Sequence, residues 1–297
     1  MNDGKKGHGA ATLLAGPTAS GKTALAIELA AQSGAAVINA DSMQVYDVLD
    51  HLTARPKPSE LGLAPHYLFG HVSPADAYST GRWLRDVEKL LTGPLADRPV
   101  IIVGGTGLYF RALEGGLSIM PSVPQALRER LRERCEDEGA AALHAELAVC
   151  DPAAAKAISP NDAQRVLRAL EIFEASGVPL TEHQSRQGDP LVDAERTRRL
   201  VLMPNREWLR ERIALRFDAM MAGHAVDEVK QLLSMKLDPA VPAMKAIGVS
   251  QITAMLDGQI DKDEAIRQSV NATRQYAKRQ TTWFRNQLGP KWERLDT

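Results

Sequence analysis

Gly16-Pro17-Thr18-Ala19-Ser20-Gly21-Lys22-Thr23 follows a short apolar run, Ala11-Thr12-Leu13-Leu14-Ala15. It leads into TALAIELAAQ (Thr23 to Gln32), where Leu25, Ile27 and Leu29 recur at helical spacing among alanines. Strand, glycine-bounded loop and helix in that order make a phosphate-binding loop. Such a loop gathers its N–H groups on an anion at a helix N-terminus, where the helix dipole also favours negative charge. Gly16 and Gly21 are expected to take backbone angles that other residues resist. Lys22 supplies a mobile positive charge, and the Thr23 hydroxyl is a candidate Mg²⁺ ligand. The stretch therefore predicts a diphosphate or polyphosphate site, without specifying ATP.

A second apolar run, Ala35 to Ala40, ends at Asp41-Ser42. In a parallel α/β unit the ligand crevice lies at the carboxyl ends of the strands, so Asp41 is expected beside the phosphate loop. Three roles stay open for it: part of a Mg²⁺ shell, a general base facing a second substrate, or a cap for the next turn. Pro99 to Val103 reads as a central parallel strand running into Gly104-Gly105-Thr106-Gly107. Its glycines are expected to let backbone approach a ligand, with Thr106 pointing into the same crevice as Lys22 and Asp41. No acidic residue ends this strand, so an ordinary ATPase second motif is missing there.

Residues 50–75, rich in Pro, His and Gly, read as one long irregular loop carrying Arg55 and Lys57; Tyr78 to Leu91 returns to helical spacing. From about Gly115 the texture becomes helical and charged, with helices expected at Gln125–Cys135, Gly139–Val149 and Asp162–Ala175. Arg199 to Met203 looks like a strand rejoining the sheet. Arg206 to Met221 follows as a helix that puts Arg212 and Arg216 on one face. The last long helix is expected from Glu264 to Leu288. At about 100° per residue Val270, Ala277, Phe284 and Leu288 form an apolar stripe, Arg274, Lys278 and Arg285 fall together beside it, and Tyr276 and Trp283 make a third line. Cations interleaved with aromatics suit a nucleic-acid backbone, and a packed helix with solvated cations has the same pattern. The fold class is α/β: a P-loop NTPase-like parallel sheet flanked by helices, formed by residues 1–118 and 197–297, with an all-helical insertion at 119–196.

The chain has 297 residues and a net charge of −1, so any surface for a polyanion must be local. Its 44% hydrophobic and 25% charged content is ordinary for a globular protein. Two cysteines, Cys135 and Cys150, show no metal-binding spacing and fit a reducing compartment, which with the lack of a long apolar run gives a cytoplasmic expectation. The polar N-terminus (Met1 to Gly9) is expected to be flexible.

Five stretches together resemble the transfer-RNA dimethylallyltransferases, also called isopentenyl-diphosphate:tRNA isopentenyltransferases. They are GPTASGKT, INADSMQVY (Ile38 to Tyr46), VGGTGLYFRAL (Val103 to Leu113), QRVLRALEIFEASG (Gln164 to Gly177) and YAKRQTTWFRNQ (Tyr276 to Gln287). The resemblance covers nearly the whole chain. It implies that the phosphate loop grips dimethylallyl diphosphate and that the dimethylallyl group moves to N6 of adenosine 37 next to the anticodon of tRNA, with diphosphate released. It further implies that the insertion and the C-terminal helix hold the anticodon stem-loop while the adenine leaves its stack.

By position, the resemblance makes Asp41 the residue that takes the N6 proton, and Ser42, Met43 and Gln44 its RNA-contacting neighbours. It puts Thr106 near the bridging oxygen and Arg216, or failing that Arg212, on the diphosphate side. It gives RNA contacts to Arg128 and to Gln164, Arg165, Val166, Leu167 and Arg168. Lys278, Arg279 and Arg285 are expected to add contacts from the last helix. The two basic surfaces are expected to wall one RNA cleft. Mg²⁺ is the expected cofactor, and a monomer the expected state. Two stretches depart from the family pattern. Arg55 stands where a lysine is usual, and Ile247-Gly248-Val249-Ser250-Gln251 where IGYKE is usual. A prenyltransferase acting on free adenine nucleotides and a P-loop small-molecule kinase are the alternatives. The first would not need the insertion or a basic aromatic C-terminal helix, and the second would need its lid arginines in a different setting.

Overall fold

A computed structural model describes residue 8 and residues 11–118, 120–185 and 188–296. Apart from His8, the N-terminal stretch expected to be flexible lies outside the described residues. The chain forms two compact units, one taking it up to Glu114 and again from Leu191, the other being Gly115–Pro190.

The first unit is built on six strands: β1 (Ala11–Ala15), β2 (Ala36–Asn39), β3 (His66–Tyr67), β4 (Val100–Gly104), β5 (Arg198–Leu202) and β6 (Glu293–Leu295). All are parallel, in the order β3-β2-β4-β1-β5-β6. Helices cover both faces, so the central strands are buried on both sides and read as continuous apolar runs. Neighbouring residues supply opposite cores. Leu13, Ile38 and Ile102 enter the larger one, with Trp83, Phe110 and Phe284. Leu14, Val37 and Ile101 enter the smaller one, under Ala26 and Ala30 of the helix Lys22–Ser33. Each such side chain contributes about 1.5–3 kcal/mol by leaving water.

Because β1 lies between β4 and β5, the loop after β1 opens at the carboxyl ends of both neighbours. This is where the crossover direction changes and a ligand crevice forms.

Several expectations need correction. Residues 50–75 are not one irregular loop: they contain the short helix Pro58–Leu61 and the edge strand β3. The expected insertion ended at residue 196, but Leu191 donates its N–H to Leu113 O at 2.9 Å and Val192 sits in the first unit's core. Glu114 and the buried Arg199 close this junction with a 2.6 Å ion pair.

The second unit packs the helices Gln125–Glu138, Ala140–Cys150, Pro152–Ala157, Ala163–Ser176 and Leu180–Ser185 around Leu131, Leu143, Leu147, Val166 and Leu170. Asp151 joins two of them. Its carboxylate accepts from Ala154 N–H at 3.0 Å, capping one helix, and from both the N–H (3.0 Å) and hydroxyl (2.8 Å) of Thr181. Burial pushes its pKa up, but these hydrogen bonds outweigh that and hold it below the usual carboxylate range.

Candidate active site

The phosphate loop leaves some of its polar groups open. Gly21 takes φ 88° and starts the helix, so Lys22 and Thr23 carry N–H groups without an intrahelical acceptor. Those of Ala19 and Gly21 have no acceptor among the described residues. The Ser20 hydroxyl is buried without a partner among the described residues. An inward cradle of unpaired donors is what an anion requires. Gly16 differs from expectation, since its φ is not in the left-handed region. A Cβ there would stand 2.7 Å from Ser20 Oγ, so the requirement is space.

Lys22 is 9% exposed and donates to Pro17 O at 3.3 Å. Burial lowers its pKa to about 8, with Asp41 pulling it up and Arg216 pushing it down. Arg216 Nη2 donates to Thr18 Oγ1 at 2.6 Å, whereas Arg212 stacks over the Trp208 ring at 4.6 Å. Arg216, and not the alternative Arg212, thus reaches the loop. Burial lowers the Arg216 pKa, opposed by Asp41 and reinforced by Arg212.

Asp41 is held by a residue that the sequence did not single out. Asn39 is fully buried at the end of β2. Its side chain accepts from Asp41 N–H at 2.8 Å and donates to Asp41 O at 2.9 Å and to Leu68 O at 3.0 Å. Asp41 Oδ1 accepts from Met43 N–H at 3.0 Å, which is the cap reading. Its Oδ2 has no partner among the described residues and remains open for chemistry. Thr106 Oγ1 accepts from Ser42 N–H at 3.0 Å, so its own hydroxyl proton is free to be donated. Gln44 is a buried tether, donating to Thr53 O at 2.9 Å and Ala54 O at 3.2 Å. Met43 packs half-buried against the main core.

The glycines after β4 serve a neighbour that the sequence did not single out. A Cβ on Gly105 would meet Gln280 Nε2 at 2.2 Å, and one on Gly107 would meet the Trp283 ring at 2.2 Å. They admit the C-terminal helix Lys262–Gln287. The stripe residues Val270, Ala277, Phe284 and Leu288 are buried as expected. Arg274, Lys278 and Arg285 face elsewhere and line a groove with Arg206 and Arg210 from the helix Arg206–Ala222. None of the five forms an ion pair among the described residues, and Arg274 Nε is buried without a partner. Arg279 lies over the Tyr276 ring at 5.8 Å.

In the second unit Gln164 and Arg165 are exposed, but Val166 is fully buried in the helical core and Leu167 packs against it. The Val166 side chain is therefore packing material and not a surface contact. Arg165 pairs with Asp162 at 3.4 Å and Arg168 with Glu171 at 3.3 Å, while Arg128 Nε is buried without a partner among the described residues.

The departures from the family pattern have local roles. Arg55 donates to Asp50 Oδ1 at 3.2 Å and Asp47 O at 3.0 Å, closing its own loop. The buried Glu228 holds the same loop by accepting from the N–H groups of Asp50, His51 and Leu52. Val249 is buried, and Gln251 Oε1 accepts from Gly248 N–H at 3.1 Å.

Comparison with known proteins gives the family. The IPP transferase family model matches residues 44–287 and the isopentenyl transferase model residues 9–70. The tRNA dimethylallyltransferase of Chelativorans sp. (strain BNC1) is 57% identical over 286 residues, covering 96% of this chain and 98% of that one. That of Allorhizobium ampelinum is 54% identical, covering 96% and 94%. Among solved structures, the tRNA isopentenylpyrophosphate transferase of Bacillus halodurans has a TM-score of 0.67 at 32% identity, covering 97% and 90%. A eukaryotic dimethylallyltransferase acting on tRNA has a TM-score of 0.83 at 29% identity, covering 96% and 73%. With a P-loop sheet and these relatives along nearly its full length, the chain belongs to the tRNA dimethylallyltransferase family of prenyltransferases.

Proposed function

We propose that this protein transfers the dimethylallyl group of dimethylallyl diphosphate to N6 of adenosine 37 in tRNA. The carrying observation is the pairing of a cation-lined phosphate loop with the free Oδ2 of Asp41. A small-molecule kinase can share a carboxylate base and a phosphate loop, but it has no use for a helical unit together with the unpaired cations of the C-terminal helix. The N6–C bond forms as the C–O bond of the prenyl diphosphate breaks. Asp41 takes the N6 proton, and the electron pair leaves with the diphosphate. Lys22, Arg216 and the loop N–H groups stabilise the charge that builds there. The free Thr106 hydroxyl proton is available to the bridging oxygen.

Mg²⁺ fits this donor set only together with the diphosphate. No group of three or more His, Cys, Asp or Glu able to hold a metal exists among the described residues. Mg²⁺ commonly takes one or two protein oxygens plus substrate phosphates and water. Thr23 would be its protein ligand, and the ion would neutralise charge on the departing diphosphate.

The unpaired cations Arg274, Lys278 and Arg285, with Arg279 beside them, suit an RNA backbone, as do Arg128, Gln164, Arg165 and Arg168 on the helical unit. On this reading the helical unit, expected at 119–196 and compact at 115–190, is an RNA-holding domain of a monomeric cytoplasmic enzyme. No helix among the described residues is long and apolar enough to cross a membrane. The test is incubation with radiolabelled dimethylallyl diphosphate and either tRNA, AMP or no acceptor, and separately with ATP. Label in tRNA alone is expected. Label in AMP, or turnover of ATP, would favour one of the alternatives.

A further inference from the structure

We infer that Gln280 is a positioning residue that ties the C-terminal helix to both walls of the diphosphate site. Gln280 is 6% exposed, and both ends of its amide are used. Oε1 accepts from Thr18 N–H in the phosphate loop at 2.8 Å. Nε2 donates to Gly105 O, in the turn after β4, at 2.9 Å. The same Thr18 receives Arg216 on its hydroxyl, and the residue after Gly105 is Thr106. One side chain from a distant helix thus fixes the loop that carries Lys22 and the turn that carries Thr106.

The fit is specific to a primary amide. A carboxylate at 280 would lack the donor for Gly105 O, and an apolar chain would leave both backbone groups buried and unpaired. Gly105 is required by the same contact, because a Cβ there would stand 2.2 Å from Nε2. Two other loop N–H groups, those of Ala19 and Gly21, have no acceptor among the described residues. Gln280 therefore shapes the cradle from outside while leaving donors for the anion. It touches no reacting atom, so it acts through the loop. The inference rests on the proposed diphosphate reading and deepens it: the helix carrying Lys278 and Arg285 also holds the leaving-group site.

The experiment compares wild type with Gln280→Met, Gln280→Glu and Gly105→Ala. Binding of dimethylallyl diphosphate is measured calorimetrically without RNA, and KM and kcat are measured with tRNA. Both Gln280 variants should weaken diphosphate binding by roughly tenfold, the scale of a lost buried hydrogen bond, and lower kcat as well. Affinity for tRNA alone should stay within about twofold. Gly105→Ala displaces the same amide from the opposite side, so it should reproduce the defect and combine with Gln280→Met less than additively. It also serves as the test if Gln280→Met fails to fold. Wild-type binding of diphosphate with unchanged binding and kcat in the folded variants overturns the inference. Absence of diphosphate binding by wild type overturns the underlying reading instead.

Discussion

Raising the pH should loosen the grip on dimethylallyl diphosphate through one side chain. Burial brings the Lys22 pKa down to about 8 in the free protein. A bound diphosphate sets negative charge against the ammonium, returning its pKa towards the ordinary lysine value of about 10.4 or above. The pKa is higher in the complex than in the free protein, so binding carries a proton preference. Affinity is full below the free pKa and is lost as the pH rises through it towards the bound one. At about pH 9.5 only roughly 3% of the free protein would hold a charged Lys22, so Kd should be about thirtyfold above its value near pH 7. The ligand contributes little to the change, because its last phosphate ionisation lies near pH 6. Calorimetric titration without RNA, at constant Mg²⁺ and ionic strength, reads this directly. Lys22→Arg stays charged throughout and should give a flat profile. A wild-type Kd that moves less than about threefold across this range refutes the argument that a buried, titrating Lys22 meets the diphosphate.

Further predictions address the other parts of the molecule. Asp41→Asn keeps the acceptor for Met43 N–H and should leave tRNA affinity near normal while lowering kcat by roughly 10²-fold or more; a kcat within about threefold of wild type removes Asp41 as the base. Lys278→Ala should weaken tRNA binding, reduce its salt dependence by somewhat under one unit of log–log slope and spare binding of the prenyl diphosphate; an unchanged slope would make that lysine a solvated surface charge. Asp151→Ala removes a helix cap and both bonds to Thr181, and should destabilise the helical unit by about 3 kcal/mol in denaturant unfolding. The depressed Asp151 pKa adds stability above the unfolded carboxylate value of about 4 that is lost as pH falls through the folded one, so the mutant's deficit should shrink in acid.

The central strands were legible because burial on both faces leaves an unbroken apolar run, as in Val100 to Val103. The edges were not. β3 has two residues and β6 three, each paired on one side only, so neither needs the composition of a core strand. The strand–loop–helix form of the phosphate loop was readable since its glycines, lysine and threonine fall within eight consecutive positions. Gln280 was not, because a glutamine on a charged helix looks the same whether it is solvated or gripping two loops more than 170 positions away in sequence. The glycines at 105 and 107 carried a true signal, close approach, but a sequence cannot say what approaches. Asp41 presents the converse case. Its capping and catalytic readings looked like rivals, yet a carboxylate has two oxygens, and here the turn occupies only one. The cap fixes the direction of the other, and Asn39 fixes the backbone beneath it. On the proposed function, the structural role is thus what would give the free oxygen a defined position from which to act as a base.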